Sequence, residues 1–431
     1  MRIHLISYLF APDELAGASL YTDMARFFRD RGHDVRVTTT FSYYPAWALK
    51  PEDVGVAQRD EKLGDIPVRR ISMYIPKRIN GLTRLLCDLS FLISLLRRAI
   101  FKGWKPDVVV TASPMLSQCL AMRFMYLGKR VPRFIIVQDF VVDAALELGM
   151  LRLPLISTFL NAMQNWSLRS AQTLSTISPL MLEKLKGKLG TSRRQLLIPN
   201  WIHQSLQDEI DRQLAQNPPR DPNVLVYSGN FGRKQGLPDF LEQFHTATKG
   251  GLDWNLEIYG GGAEKSELVA AIEGNPAVKL GGVQDEVAYV GNLLRTTACL
   301  VTQRPGVGAN FLPSKLLPAL ATGTPILAIC DPESPLAREV IEGGCGAVLL
   351  PGDTPGLIAT LEKWRNEPAL VAEMSRRARV RAALYQRDNV LGKYESELQA
   401  LVDPLTPTVP QREINSAPGV PSSATMAGGK S

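Results

Sequence analysis

One segment of the chain combines glycines and cations in an order that suits a phosphate group. It spans 224–236, VLVYSGNFGRKQG, where an apolar run leads to Gly229 and to a loop carrying Arg233 and Lys234, followed by a helix-like segment. A helix N-terminus behind a buried strand offers unpaired N–H groups and the positive end of the helix dipole. A Gly/Lys loop alone is a weak signal, so the segment predicts either a phosphate site or an ordinary turn with solvated basic residues.

A second segment, NFLPSK, precedes a helix predicted at 316–322. Ser314 is predicted to cap this helix. Lys315 then falls in the first turn, where the helix dipole disfavours a cation unless an anion is also bound. Such a local conflict is typical of functional sites, and a lysine on a solvated helix is the alternative.

Three shorter segments place glycines or polar side chains beside predicted strand ends. Gly17, near the start of the first helix, allows a sugar or an anion to approach the backbone, or simply forms a tight connection. Asp139 follows a strand together with Gln138, and it can accept a hydrogen bond from a substrate hydroxyl or cap the next helix. A strand at 255–259 ends in three glycines, which permit a nucleoside to pack against the main chain. The first strand is not followed by a GxGxxG fingerprint, which argues against NAD.

The elements that must position these residues form two series of apolar strands separated by helical patterns. The predicted strands are 3–9, 35–39, 68–72, 108–111, 134–137 and 173–177 in the first series, and 224–227, 255–259, 278–280, 299–302, 325–329 and 347–350 in the second. This alternation predicts an α/β fold with parallel, doubly wound sheets. Two such Rossmann-like domains in series face a cleft at the carboxyl ends of both sheets.

Composition shifts predict the domain boundaries. The predicted order is a first domain at 1–200, a polar linker at 201–222, a second domain at 223–385, a terminal helix at 386–403 that can pack back on the first domain, and a tail at 404–431. The tail is rich in Pro, Ser and Gly and lacks apolar periodicity, so it is predicted to be disordered.

Composition also limits the possible partners. Apolar residues make up 45% of the chain and charged residues 21%, which is typical of soluble globular proteins. The five cysteines and four histidines are dispersed, which predicts reduced thiols, a cytoplasmic location and no metal site. The net charge of +7 suits an anionic ligand or membrane surface. Nucleic acid is disfavoured, because no basic patch is interleaved with aromatic residues.

The segment 80–105 is apolar-rich and carries basic residues near both ends. Asp88, Arg97 and Arg98 interrupt its longest apolar run, so it is not predicted to span a bilayer. It is either a core helix with a basic end or an amphipathic helix that lies on anionic lipid and delivers a lipid-linked acceptor.

Taken together, these segments resemble the retaining glycosyltransferases of the GT-B "glycosyl transferases group 1" family (family 4). The resemblance covers about residues 1 to 400 and includes YLFAPDELAGASLYTDMARFFRDRGHDVRVTT, YYP, VQDF, IPNW, SGNFGRKQG, YGGG, LPSK and LATGTPILA. The combination is most similar to the colanic-acid or exopolysaccharide branch of that family.

The resemblance implies that a UDP- or GDP-linked sugar is transferred with retention to a lipid-linked or polysaccharide acceptor, with the donor on the second domain. It implies no metal or other cofactor, since basic residues and helix dipoles stabilise the leaving diphosphate. The donor-side residues it assigns are Gly229, Asn230, Arg233, Lys234, Gly260, Gly261, Gly262, Asn310, Ser314 and Lys315. The other assigned residues are Gly17 under the sugar, Gln138, Asp139 for hydroxyl positioning, and Asn200 at the hinge. Asp139, Lys234 and Lys315 are the residues expected to take part in catalysis.

Several positions depart from the family pattern. The usual loop arginine and lysine are Asn230 and Gln235 here, the usual pair of glutamates falls near Asn310 and Pro318, and the usual histidine is Gln138. These departures keep two alternatives open. One is a nucleotide-sugar epimerase of the same fold, and the other is a non-catalytic subunit that binds a nucleotide sugar.

Overall fold

The computed structural model describes residues 1–13, 16–43, 46–77, 81–113, 115–140, 143, 154–306, 308 and 312–403. Asn310, two residues of the YYP motif and the tail predicted at 404–431 lie outside the described residues. Within the described ranges the chain forms two α/β units, each built on a mainly parallel sheet. The predicted fold class of two doubly wound domains is confirmed.

The sheet of the first domain has eight strands. They are β1 (Arg2–Ile6), β2 (Asp34–Thr40), β3 (Gln58–Leu63), β4 (Ile66–Ile71), β5 (Val108–Ser113), β6 (Arg133–Val137), β7 (Thr173–Thr176) and β8 (Arg194–Leu197). Their order is β3-β4-β2-β1-β5-β6-β7-β8, and all neighbours are parallel except β3 and β4. The order reverses beside β1, so β1 and β5 flank the point where an open sheet of this kind binds ligands.

Helices cover both faces of this sheet. They are α1 (Ala16–Asp30), α2 (Gly81–Arg98), α3 (Leu116–Met125), α4 (Pro154–Leu168) and α5 (Pro179–Leu189). Residues of α2, α3 and α5 form one buried cluster with Ile6 and Val109, and residues of α1 form the opposite cluster with Ile3 and Leu5. The central strands are therefore buried on both faces, which explains their continuous apolar sequences.

The second domain has a six-stranded parallel sheet. Its strands are β9 (Val224–Asn230), β10 (Asn255–Gly261), β11 (Val278–Gly281), β12 (Ala298–Thr302), β13 (Ile326–Ile329) and β14 (Gly346–Leu349). Its helices are α6 (Gln204–Leu214), α7 (Leu237–Lys249), α8 (Lys265–Ala271), α9 (Glu286–Arg295), α10 (Leu316–Thr322), α11 (Pro335–Gly343), α12 (Thr354–Asn366) and α13 (Pro368–Ala382). The strand order, β11-β10-β9-β12-β13-β14, reverses between β9 and β12. The loops after these two strands therefore meet at the ligand-binding edge.

The segment predicted as a linker at 201–222 is not a simple connection. It contains α6, whose Leu206 and Ile210 are buried in the core of the second domain. Gln, Asp and Glu fill the other face of α6, and this polar composition hides the four-residue apolar spacing.

The last described helix, α14 (Arg387–Val402), returns to the first domain. Val390, Leu391 and Tyr394 join the buried cluster around Ile3, and Arg194 pairs with Glu397 at 2.7 Å. The chain therefore crosses between the domains twice, once before α6 and once before α14.

Candidate active site

The loop after β9 forms the predicted phosphate segment at the carboxyl end of the second sheet. Arg233–Gln235 is a single 3-10 turn, and Gly236 adopts a left-handed conformation (φ 65°) at the N-terminus of α7. The N–H of Arg304, which follows β12, donates to the carbonyl of Lys234 at 3.0 Å. This bond joins the two loops at the reversal of strand order, with the N–H groups of α7 directed toward the same edge.

Lys315 reaches this loop from the N-terminus of α10. The helix spans the predicted residues, but Lys315 rather than Ser314 occupies the N-cap position, and Ser314 is exposed. Only 8% of Lys315 is exposed. Its Nζ lies 3.6 Å from the centre of the Tyr227 ring and 3.4 Å from Oε1 of Gln235. The ammonium group is therefore held by a cation–π contact and one weak hydrogen bond.

Burial lowers the pKa of Lys315 from 10.5 to about 7, and nearby Cys299 opposes this shift. A desolvated ammonium group has lost hydration that an anion can replace. The site beside Gly229 thus favours a negatively charged ligand whenever Lys315 carries its proton. A Cβ at Gly229 would lie 3.3 Å from Lys315 Nζ, so a side chain there would crowd the lysine.

The position of Lys315 compensates for one departure from the family pattern. Gln235 stands where the loop lysine is usual, and its side-chain oxygen accepts from Lys315. The cation missing from the loop is therefore supplied next to it by the neighbouring loop. Arg233 and Asn230, the other predicted donor contacts in this loop, have exposed side chains.

The three predicted glycines at the end of β10 differ in whether the packing of the chain requires glycine at that position. A Cβ at Gly260 would overlap the carbonyl oxygen of Gly229, and a Cβ at Gly262 would lie 2.5 Å from the carbonyl oxygen of Phe231. Packing of the chain against itself thus requires both glycines. A Cβ at Gly261 would meet only a Val283 methyl group at 3.5 Å, an ordinary contact, so Gly261 is the one open to a ligand.

Asp139 follows β6 and brings the first domain to this site. Its Oδ2 lies 3.4 Å from Nζ of Lys234, across the boundary between the domains. Its Oδ1 is buried and accepts no hydrogen bond from the described residues. Burial raises the pKa of Asp139, and the charge of Lys234 partly offsets the shift.

Gln138 and Asn200 are engaged with each other. Gln138 Nε2 donates to Asn200 Oδ1 at 2.8 Å, and Asn200 Nδ2 donates to Gln138 Oε1 at 2.9 Å. The paired amides connect the end of β6 to the segment that leaves the first domain. Gly17 is the second residue of α1, and a Cβ there would meet only Leu9 Cδ1, at 3.6 Å. Packing of the described residues therefore does not require glycine at this position.

Residues that the sequence reasoning did not select complete the site. Tyr227 supplies the ring beneath Lys315, and Gln235 supplies its hydrogen-bond acceptor. Glu264 lies two residues after the glycine run, and burial raises its pKa while Arg304 and Arg233 lower it. Tyr227 ends the strand predicted at 224–227, and this position was the available signal for it. Gln235 gave no local signal, because its partner Lys315 lies 80 residues away.

The described part of the chain contains no cluster of metal-binding side chains. No three His, Cys, Asp or Glu side chains there are grouped so that they could hold a metal ion, and all five cysteines are buried free thiols.

A parallel-sheet domain with a cation-bearing loop faces a second such domain that contributes a carboxylate, and this arrangement defines the GT-B class of glycosyltransferases. Family models agree over both halves, since residues 17–201 match the glycosyl transferase 4-like domain and residues 208–381 match glycosyl transferases group 1. The chain is therefore a glycosyltransferase that combines a glycosyl transferase 4-like domain with a glycosyl transferases group 1 domain.

Individual relatives extend this assignment. WcaI of Escherichia coli, described as a colanic acid biosynthesis glycosyl transferase, is 28% identical over 382 residues, covering 81% of this chain and 93% of WcaI. Sucrose-phosphate synthase of Thermosynechococcus elongatus has a similar structure, with a TM-score of 0.71 at 16% identity over 93% of this chain and 99% of that chain. Anabaena HepE in complex with UDP has a TM-score of 0.64 at 14% identity, covering 93% of this chain and all of HepE.

Proposed function

We propose that this glycosyltransferase moves a sugar from a nucleotide-diphosphate sugar to a lipid-linked or polysaccharide acceptor, with retention, in the synthesis of an exopolysaccharide or another cell-surface glycan. The observation that carries the donor assignment is the buried Lys315 beside the glycine loop after β9. The solved structures of HepE with UDP and with UDP-glucose support a nucleotide-sugar donor. The similarity to WcaI supports the glycan class.

On the donor side, the chain's own cations neutralise the leaving diphosphate. Lys234 lies in the loop, Lys315 reaches the loop from the start of α10, and the N-terminus of α7 adds the positive end of its dipole. Negative charge grows on the diphosphate as the bond to the sugar breaks. Cations already fixed at that point lower the barrier without a metal ion.

On the acceptor side, Asp139 positions the attacking hydroxyl through Oδ1, which accepts no hydrogen bond from the residues that the structure describes. The hydroxyl attacks the face of the sugar from which the diphosphate leaves, and an oxygen of the departing phosphate takes its proton. The reaction then depends on positioning and on stabilisation of the diphosphate charge.

The donor assignment is tested by thermal unfolding with UDP, GDP and their sugar derivatives. A ligand at about 100 times its Kd stabilises the native state by about 2.7 kcal/mol. We expect this stabilisation with either the uridine or the guanosine nucleotides. Lys315→Met should lose the stabilisation. Lys249→Met, at an exposed lysine that ends α7, should keep it. An unchanged gain in Lys315→Met would contradict the assignment.

The reaction itself needs a separate experiment. Incubation with the matching nucleotide sugar and a lipid-linked acceptor should release nucleoside diphosphate and form a glycoside of unchanged anomeric configuration, detectable by NMR. Binding without transfer or hydrolysis would favour a non-catalytic subunit instead.

The proposed acceptor places the enzyme at the inner face of the cell membrane, and α2 is the proposed contact. One side of α2 and the residues after it expose apolar side chains, each more than two-fifths exposed: Leu85, Leu86, Leu89, Ile93, Leu96 and Ile100. A cavity of about 500 Å³ at the C-terminal end of α2 is lined in part by Arg36, Arg69, Arg97, Arg98 and Lys102. None of the helices in the described ranges is long and apolar enough to cross a membrane. An apolar stripe that ends in cations suits the surface of an anionic bilayer.

Flotation with liposomes tests this contact. We expect the protein to float with vesicles containing phosphatidylglycerol and to float less with phosphatidylcholine alone. Replacing Leu89 and Ile93 by glutamine should abolish flotation, whereas the same change at exposed Val269 and Val287 of the second domain should not. Equal flotation of both variants would place the contact elsewhere.

A further inference from the structure

The contact between Lys234 and Asp139 joins the two domains where donor and acceptor must meet. Lys234 belongs to the turn after β9 of the second domain, and Asp139 follows β6 of the first. Nζ and Oδ2 are 3.4 Å apart, which is longer than a well-formed charge-assisted hydrogen bond of about 2.8 Å. The ion pair is therefore formed, but its long N–O distance makes it a weak one.

The surroundings of Asp139 make the pair sensitive to a competing anion. The carboxyl group is largely buried, and burial favours its neutral form while Lys234 favours the charged form. Its other oxygen, Oδ1, accepts no hydrogen bond within the described ranges. If Lys234 turns to another anion, Oδ2 of Asp139 loses this partner and can accept a hydrogen bond from a hydroxyl instead.

The turn that carries Lys234 is also the turn that the proposed function gives to the donor diphosphate. We propose that the diphosphate and Asp139 compete for Lys234, so that donor binding breaks the interdomain pair and leaves Asp139 available to the acceptor hydroxyl. This inference rests on the proposed function, because it requires a diphosphate beside the loop after β9. It makes the donor the first substrate to bind and explains why one lysine faces both substrates.

Competition for Lys234 and a purely structural ion pair predict opposite changes in donor affinity when Asp139 is removed. If Asp139 merely held the loop in shape, its removal would weaken donor binding. If Asp139 competes for Lys234, its removal strengthens donor binding, even though the acceptor hydroxyl loses its partner and transfer slows. Affinity and turnover therefore move in opposite directions.

Isothermal titration calorimetry with UDP and GDP provides the test, using whichever nucleotide binds the wild-type protein. Asp139→Asn should lower the Kd about fivefold or more, a typical size for coupling between two sites. Lys234→Met should raise the Kd. In the Lys234→Met background, Asp139→Asn should give no further gain, because no lysine remains to be released.

The double variant separates competition from simple repulsion. A carboxylate that only repels the diphosphate would still weaken binding when Lys234 is absent, so an equal gain in both backgrounds would overturn the inference. Asp107→Asn is the matched control, since it breaks the 2.6 Å pair with Arg2 in the same domain and removes the same charge. The Kd of this control should not change.

The remaining outcomes distinguish the two proposals. Unchanged or weaker binding by Asp139→Asn, with normal binding by the wild type, would overturn the inference and leave the proposed function standing. Binding of neither nucleotide by the wild type or any variant would overturn the proposed function, and the inference with it.

Discussion

At the scale of single residues, Lys315 is placed where its charge depends on the ligand. Burial under the Tyr227 ring lowers the pKa to about 7, so a diphosphate must restore the charged form that burial disfavours. The same burial that weakens the free cation prevents water from screening it once an anion is bound. Lys315 is therefore a pH-sensitive contact as well as an electrostatic one.

This arrangement predicts uptake of protons when a nucleoside diphosphate binds near neutral pH. Below pH 7 the lysine is already charged, and above pH 7 binding must first protonate it, so affinity should fall as pH rises from 7 to 9. Calorimetry at pH 7.5 in buffers of different ionisation enthalpy measures the uptake. Lys315→Met should show weaker binding and less uptake, and a binding heat independent of buffer in the wild type would contradict the prediction.

At the scale of elements, the end of β10 shows that two neighbouring glycines can have different roles. Gly260 pairs with Gly229 of β9, and a methyl group there would overlap the Gly229 carbonyl. Gly261 points to open space beside Val283. All three glycines had the same interpretation from the sequence, because the sequence of a strand does not show how closely a neighbouring strand approaches it.

Alanine substitutions separate these roles. Gly260→Ala should lower the free energy of unfolding by about 1–3 kcal/mol, since the strands must move apart. Gly261→Ala should leave stability nearly unchanged and weaken nucleotide binding if the base lies against this glycine. Chemical denaturation and calorimetry on both variants measure the two effects. Equal stability of the two variants would contradict the structural distinction.

The sequence predicted every strand of the second sheet and the central strands of the first, but it missed the two edge strands of the first sheet. Buried strands such as β5 (VVVTAS) are continuous apolar runs, and each predicted central strand overlaps an observed one. The missed strands, β3 (QRDEKL) and β8 (RQLL), are polar strands at the two edges of the first sheet, where they pair with β4 and β7. Edge strands are commonly charged because charge prevents pairing with other chains.

The candidate site was likewise predicted only in part. Position at a strand end identified Asp139 and the loop after β9 as candidates, because parallel strands present their carboxyl ends at one edge. Lys315 was identified instead by its predicted place in the first turn of a helix, where the dipole disfavours a cation. The contacts that define their chemistry, from Lys315 to Gln235 and from Lys234 to Asp139, join positions 80 and 95 residues apart. The first pair depends on how two loops meet at one sheet edge, and the second depends on how the two domains face each other. Local spacing contains neither kind of information.

At the scale of the whole molecule, one carboxylate holds both crossings between the domains. Asp23 of α1 is buried, and its Oδ2 accepts from Trp201 Nε1 while its Oδ1 accepts from Arg387 Nε, each at 2.8 Å. Trp201 lies in the first crossing, and Arg387 begins α14 after the second. Tyr394 of α14 packs against Trp201 with ring centres 6.1 Å apart. Asp23 therefore ties both crossings to α1 of the first domain.

Removing this carboxylate should loosen both crossings together. Asp23→Ala leaves a buried indole N–H and a guanidinium without their acceptor, which costs about 1–3 kcal/mol of stability. Hydrogen–deuterium exchange should increase in 201–203 and in α14, while the core of β9 and β12 remains protected. Asp30→Ala, at the exposed end of the same helix, is the matched control and should leave exchange unchanged. If Asp23→Ala changes exchange in only one crossing, the two segments are held independently, and Asp23 is not their common anchor.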